Sequence, residues 1–204
     1  MSINFATLQG LTIPEGVVTQ ITDASGRVIW AGKEVGTLTL RPSADISVEH
    51  TLTPSNSTAA YLLINEELAD YSSTYIYSDA ETEGGASVSK FKLAVSGQAL
   101  AKSFVVTSVN IVGHTYSYFW GDGTHKNEFR LEINGTETAS VTDTSARSPF
   151  DFSVSDAIAL INEAVATSGA LPDINIIITS YRLADPRIRR SGVTQVYVVL
   201  GYEA

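Results

Sequence analysis

Residues Gly16 to Gly36 read GVVTQITDASGRVIWAGKEVG, and the chain is organised around this stretch. Val17–Thr22 is a β-branched run and Arg27–Ala31 is a second one. Between them Asp23-Ala24-Ser25-Gly26 has turn composition, with Gly26 free to take positive φ. The spacing predicts a β-hairpin. A two-stranded ribbon is at best marginal alone in water. Val18, Ile21, Val28, Ile29 and Trp30 are more apolar surface than it can hide by itself, so these five are the candidate docking residues for sister chains or a larger particle.

Before the hairpin, Met1–Glu15 reads as an extended arm ending at the Pro14-Glu15-Gly16 turn. After it, Lys33–Gly36 reads as a junction. The expected division is an arm and assembly hairpin over 1–36 and a β-sandwich over 37–204. Ala44–Thr53 alternates, with Ile46, Val48 and Leu52 on one face and Asp45, Ser47, Glu49 and Thr51 on the other. Lys90–Val95 puts Phe91, Leu93 and Val95 inward and Lys90 and Lys92 outward. Glu128–Ile133 puts Phe129, Leu131 and Ile133 inward and Glu128, Arg130 and Glu132 outward. Ala60–Ile64, Phe104–Val112, Ile174–Thr179 and Val193–Leu200 are apolar on both faces, as strands in mid-sheet are. Pro54-Ser55-Asn56-Ser57, Glu83-Gly84-Gly85 and Gly121-Asp122-Gly123 separate these runs as turns.

Many short strands parted by turns, with no internal repeat, predict an all-β fold: a jelly-roll-like antiparallel β-sandwich. One short helix interrupts it. Ser153 reads as its N-cap, with Asp156 as a short substitute for the capping-box Glu. Val154, Ile158, Ile161 and Val165 form its apolar stripe, and Gly169 and Pro172 stop it. The helix is expected to cover an open end or edge of the sandwich.

Composition narrows the function classes. The net charge of −9 lacks the basic face that phosphate backbones and anionic membranes require, so no nucleic acid and no membrane insertion are expected. There is no cysteine, which excludes disulfides, thiolate metal sites and a Cys nucleophile. Met1–Gly10 lacks the basic and apolar regions of a signal peptide, so synthesis in a cytoplasm is expected.

Chemical motifs are sparse. His50, His114 and His125 have no metal-ligand spacing, and His50 reads as a core histidine. No nucleophile elbow, P-loop or dinucleotide fingerprint occurs, so no catalytic residue and no cofactor are expected. The acids Glu66, Glu67 and Asp70, and Asp79, Glu81 and Glu83, read as solvated loops; the second group is a weak Ca²⁺ candidate. Pro42 to Ser89 contains no Lys or Arg, whereas Arg182, Arg187, Arg189 and Arg190 cluster late, either as a solvated loop or as a complement to the acidic stretch of a sister chain. The loop from His114 to Gly123 is the ligand-site candidate: Tyr116, Tyr118, Trp120 and Asp122 offer rings and a carboxylate to a sugar. The same residues also read as a strand extension with Trp120 over the core. Asn56-Ser57-Thr58 and Asn134-Gly135-Thr136 fit the glycosylation pattern and read as turns.

The opening FATLQGLTIPEGVVTQITDASGRVIWAG resembles the N-terminal segment of phage and prophage virion proteins from gut Gram-positive bacteria. There a short leader and an ITDASGRVIW hairpin precede various β domains. ADISVEHTLTPSNSTAAYLLINEELAD, TYIYS, SVSKFKL, LEINGTE and VTQVYVVLGYE resemble the sandwich that often follows. The resemblance implies a non-enzymatic structural component of a tail, baseplate or capsid surface. Such a protein is located in the virion and multimeric, with other virion proteins as partners. It transfers no catalytic residues. The alternative reading is a carbohydrate-binding module for a host surface glycan, built on the aromatic loop.

Overall fold

The computed structural model describes residues 11–13, 16–18, 20–22, 25–31, 34–49, 59–67, 75–77, 87–99, 104–117, 126–145, 147–182 and 191–204. The strands are β1 (Leu11–Ile13), β2 (Gly16–Val18), β3 (Gln20–Thr22), β4 (Val28–Ala31), β5 (Val35–Glu49), β6 (Ile76–Tyr77) and β7 (Ser87–Ser96). They continue with β8 (Val105–Ser117), β9 (Lys126–Ile133), β10 (Thr136–Glu137), β11 (Val141–Asp143), β12 (Pro149–Ser153), β13 (Ile174–Arg182) and β14 (Ser191–Glu203). The helix α1 covers Ser155–Ser168.

The all-β class is what the chain adopts. Ten strands form one antiparallel sheet in the order β10-β9-β13-β7-β5-β14-β8-β12, with β11 beside β9 and β6 beside β14. The sheet curls on itself because β5 serves both halves. Its first part pairs with β14, from Val35 opposite Glu203 to Leu40 opposite Val198. Its second part pairs with β7, from Arg41 opposite Ser96 to Glu49 opposite Lys90. This ladder is a single curled sheet; jelly-roll order is a finer statement than it makes.

The core lies inside the curl. Leu38, Leu40, Val109, Ile111, Val198 and Leu200 enter from one half, and Phe91, Leu93, Phe129, Leu131, Ile176 and Ile178 from the other. The Phe129 and Phe150 ring centres are 4.6 Å apart, and Phe152 stacks on Phe150 at 5.3 Å. A Cβ at Gly113 would run into the Gln195 carbonyl and the Phe150 ring, so glycine lets the aromatic lie flat on β8. The alternation expected for Lys90–Val95 and Glu128–Ile133 holds, with Phe91, Leu93, Phe129 and Leu131 fully buried. The central runs Phe104–Val112, Ile174–Thr179 and Val193–Leu200 lie in strands or at their starts, within β8 (Val105–Ser117), β13 and β14.

Other expectations are corrected. Within the Val17–Thr22 run, β2 pairs with β1 of the leader and β3 pairs with β4 around the positive-φ Gly26. Against β7, Ser43 and Ile46 of β5 are extra residues, since Pro42 faces Val95, Ala44 faces Ala94, Asp45 faces Leu93 and Ser47 faces Lys92. Each bulge shifts the pleat by one residue. Ile46 is therefore 54% exposed, and Asp45, expected on the wet face, lies beside buried Leu93. Its carboxylate accepts the Ala60 and Tyr61 backbone N–H groups at 2.7 and 2.8 Å. The Ala60–Ile64 run is not a strand but a 3₁₀ turn over Ala60–Leu63. Within the expected junction Lys33–Gly36, Glu34 exchanges backbone bonds with Ala204, at 3.1 and 2.8 Å.

The N-cap of α1 is Val154, without a side-chain cap, and Ser153 ends β12. Asp156 instead accepts the Ala139 N–H at 2.7 Å. Ala157, Ile161 and Val165 form the buried stripe, and Gly169 ends the helix in the left-handed region as expected. The helix covers the β8 edge where β12 has stopped. The Asn162 side chain donates to the Val106 carbonyl at 2.9 Å and accepts the Val106 N–H at 2.8 Å, replacing a missing neighbour strand.

Candidate functional site

Of the sequence-predicted ligand residues, Tyr116 is among the described residues. Tyr116 lies near the end of β8 and is 3% exposed. Tyr75 stacks on it at 3.8 Å, and the Arg147 guanidinium sits 5.6 Å from its ring centre. Its face is already occupied, so the stacking role read for Tyr116 is corrected to a packing role. Tyr118, Trp120 and Asp122 lie outside the described residues. So do His50, His125, the Asp79–Glu83 loop, Asp70 and the Arg187–Arg190 cluster. Burial lowers the pKa of His114, which sits on β8. Among the described residues no group of three His, Cys, Asp or Glu could hold a metal ion.

The outer face of β9, β13 and β7 carries a lattice of charges. Lys92 Nζ is 2.6 Å from Glu132 Oε1, and Asn175 donates to the same oxygen at 3.0 Å. Lys126 Nζ is 2.6 Å from Glu128 Oε1, and Tyr181 donates to Glu128 Oε2 at 2.8 Å. Arg130 reaches Glu137 at 2.9 Å. The hydrogen bond from Lys126 holds the Glu128 carboxyl below the usual range, and the bond from Lys92 does the same for Glu132. Burial, followed by the bond to Glu128, pushes the Tyr181 phenol up. Carboxylates pinned in their charged form are poor proton donors near neutral pH. Beneath them Ile177, in register with Lys92 and Arg130, is 1% exposed although it points away from the core.

Of the docking residues, Val28 is 50% exposed and Ile21 is half-buried. Val18, Ile29 and Trp30 are placed in β2 and β4. Among the described residues both ribbons pair only within themselves, outside the ladder of the large sheet.

Sequence reasoning passed over the residues that close the corner where β5 leaves β14. Arg41 donates to the Glu66 carbonyl at 2.7 Å and lies 4.9 Å from the Tyr197 ring centre. Gln195 donates to the Glu66 and Glu67 carbonyls, each at 2.8 Å. An Arg and a Gln flanked by ordinary strand residues carry no local signal of this role.

Among the described residues a cleft of about 280 Å³ lies against Ala170–Pro172, just after α1, and one of about 320 Å³ lies against the C-terminal half of α1. Ligand sites span roughly 300–1,000 Å³ and gather convergent polar groups. The first cleft has no ionisable side chain and the second has only Glu163. No family model matches the chain, and no curated protein matches it.

Proposed function

We propose that this chain is a non-enzymatic structural protein of a multimeric assembly, of the phage or prophage virion kind that its sequence resembles, with the N-terminal ribbons as docking elements. The observation that supports this reading is that, among the described residues, β1–β2 and β3–β4 are two-stranded sheets outside the hydrogen-bonded ladder of the large sheet. A ribbon of three- and four-residue strands gains little from its own hydrogen bonds. Val28 keeps half of its surface in water, so burying it against a neighbour is a net gain. The charged face supports the same reading, because its acids are engaged in structure. The jelly-roll description and the virion location belong to this proposal.

The test is a chain shortened to begin at Glu34, which keeps the backbone bonds to Ala204. It should stay soluble, melt cooperatively and have a smaller mass in solution than the full chain. An insoluble or unfolded product would place the ribbons in the core of the fold. An unchanged oligomeric state would remove their docking role.

A further inference from the structure

The inside of the curled sheet changes chemistry towards one end. Phe91, Ile178 and Phe129 form one inward row across β7, β13 and β9, and Val141 of β11 continues it. Two positions along each strand, the same row is Ser89, Ser180, Asn127 and Asp143. The first three are fully buried and Asp143 is 6% exposed. The opposite wall ends the same way. Thr115 of β8 is buried, and its backbone N–H and hydroxyl donate to the Ser148 carbonyl at 3.0 and 3.2 Å. Phe129 and Phe150 meet across the core one row further in, so the two walls face each other here. Asn127 accepts the Ser180 hydroxyl at 2.8 Å and donates to the Gly192 carbonyl of β14 at 3.2 Å.

Two oxygens of this layer stand apart. Asp143 Oδ1 accepts the Ser145 N–H and hydroxyl at 3.1 and 2.7 Å, whereas Asp143 Oδ2 is buried with no hydrogen-bond partner. Ser148 Oγ is buried without one as well. Asp143 ends β11 and Ser148 precedes β12, at opposite margins of the sheet, so the two oxygens bracket the short connection that spans the seam of the curl. The Arg147 guanidinium on that connection lies over the Tyr116 ring, 5.6 Å from its centre.

We propose that this polar layer holds an alkali cation, with Asp143 Oδ2 as its charged ligand and Ser148 Oγ as a neutral one. The inference does not rest on ribbon docking. A buried carboxylate oxygen is costly unless a positive charge or a donor meets it. Both oxygens are hard ligands of the kind that alkali and alkaline-earth ions take. Charge selects the valence. One carboxylate neutralises one positive charge, and among the described residues no group of three His, Cys, Asp or Glu gathers to balance two. The net charge of −9 draws cations and repels anions.

The experiment compares thermal melts of the full chain in sodium, potassium and tetramethylammonium chloride at one ionic strength. Tetramethylammonium screens charge equally and is too bulky to sit among buried oxygens. The parent should melt about 3 °C higher in an alkali salt at roughly ten times the Kd of the ion. Asp143→Asn keeps Oδ1 for Ser145 and puts an amide donor in place of Oδ2, so it should erase the difference between the salts. Ser148→Ala removes a hydroxyl that has no protein partner. It should leave the melting temperature in tetramethylammonium unchanged or higher and shrink the alkali gain. Equal melting of the parent in all three salts, the result if a water molecule fills the place, overturns the proposal. So does an alkali gain that survives in both variants. A gain seen only on adding calcium chloride overturns the monovalent assignment. If Asp143→Asn fails to fold, Ser148→Ala decides alone, and an alkali gain as large as the parent's overturns the site.

Discussion

The two outer faces of the curled sheet share one pleat and differ in what they present. Over β9, β13 and β7, Lys, Glu, Arg and Tyr side chains bind one another, and Ile177 of the same face is buried. Over β5, β14 and β8, Val35, Thr37, Thr39, Val105 and Ser108 are exposed, and Val199 and Gly201 between them are half-buried. The first face is satisfied within one chain. It offers a partner little except the cost of breaking its own ion pairs. The second has hardly any charges to desolvate, so covering it costs little. Charge density on a β-surface is thus a poor guide to where a partner binds; what matters is whether the charges are already engaged.

The largest test of this contrast is Ile177→Ala. If the charged lattice truly buries this residue, its loss should cost about 2–5 kcal/mol, as for a core isoleucine. Val199→Ala on the open face should cost at most about 1 kcal/mol. Urea denaturation of the two variants decides, and equal costs would mean that the lattice does not bury Ile177.

Next in size is Asn162→Ala, at the edge beside the open face. It leaves the Val106 N–H and carbonyl without their partner. Each orphaned backbone group costs about 1–3 kcal/mol if water cannot reach it, so a loss of about 2 kcal/mol is expected. A loss within a few tenths would show that water substitutes.

The charged face should also impose a pH dependence that the open face lacks. Glu128 and Glu132 titrate below their ordinary value of 4.5 in the folded chain. Their contribution is complete above about pH 4.5 and is lost as the pH falls through the lowered folded values. Tyr181 titrates above its ordinary 10.0, so its contribution is complete below that pH and lost as the pH climbs beyond it. Removing Glu132 by Glu132→Gln should cost about 1 kcal/mol or less near neutral pH and flatten the acid limb of the stability curve. Denaturation midpoints across a pH series provide the check, and an unaltered acid limb would show that the ion pair contributes nothing. The smallest effect is Thr39→Ala, which should shift stability by no more than about 0.5 kcal/mol, since its side chain has nothing buried to lose.

By itself the sequence determined the elements whose signal is local. Alternation at period two set the inner and outer faces of Lys90–Val95 and Glu128–Ile133, because a pleat sends successive side chains to opposite sides whatever the partner strand. Gly26, Gly169 and the Asn134-Gly135 turn were legible because positive φ is a property of the residue and its neighbours. Tertiary structure decided the rest. The pleat of β5 beyond Arg41 depends on how it is paired with β7, and two bulges turned Asp45 inward and Ile46 outward. Ala60–Ile64 has the composition of a buried strand, yet Asp45 holds its backbone N–H groups and bends it into a 3₁₀ turn. Tyr116 reads as a ligand platform until Tyr75, from more than forty positions away, closes its face. The same holds for Arg41, Asn162 and Gln195. A side chain long enough to bond a distant backbone group shows no sign of its partner until the fold brings the two together, which is why no local pattern marked them.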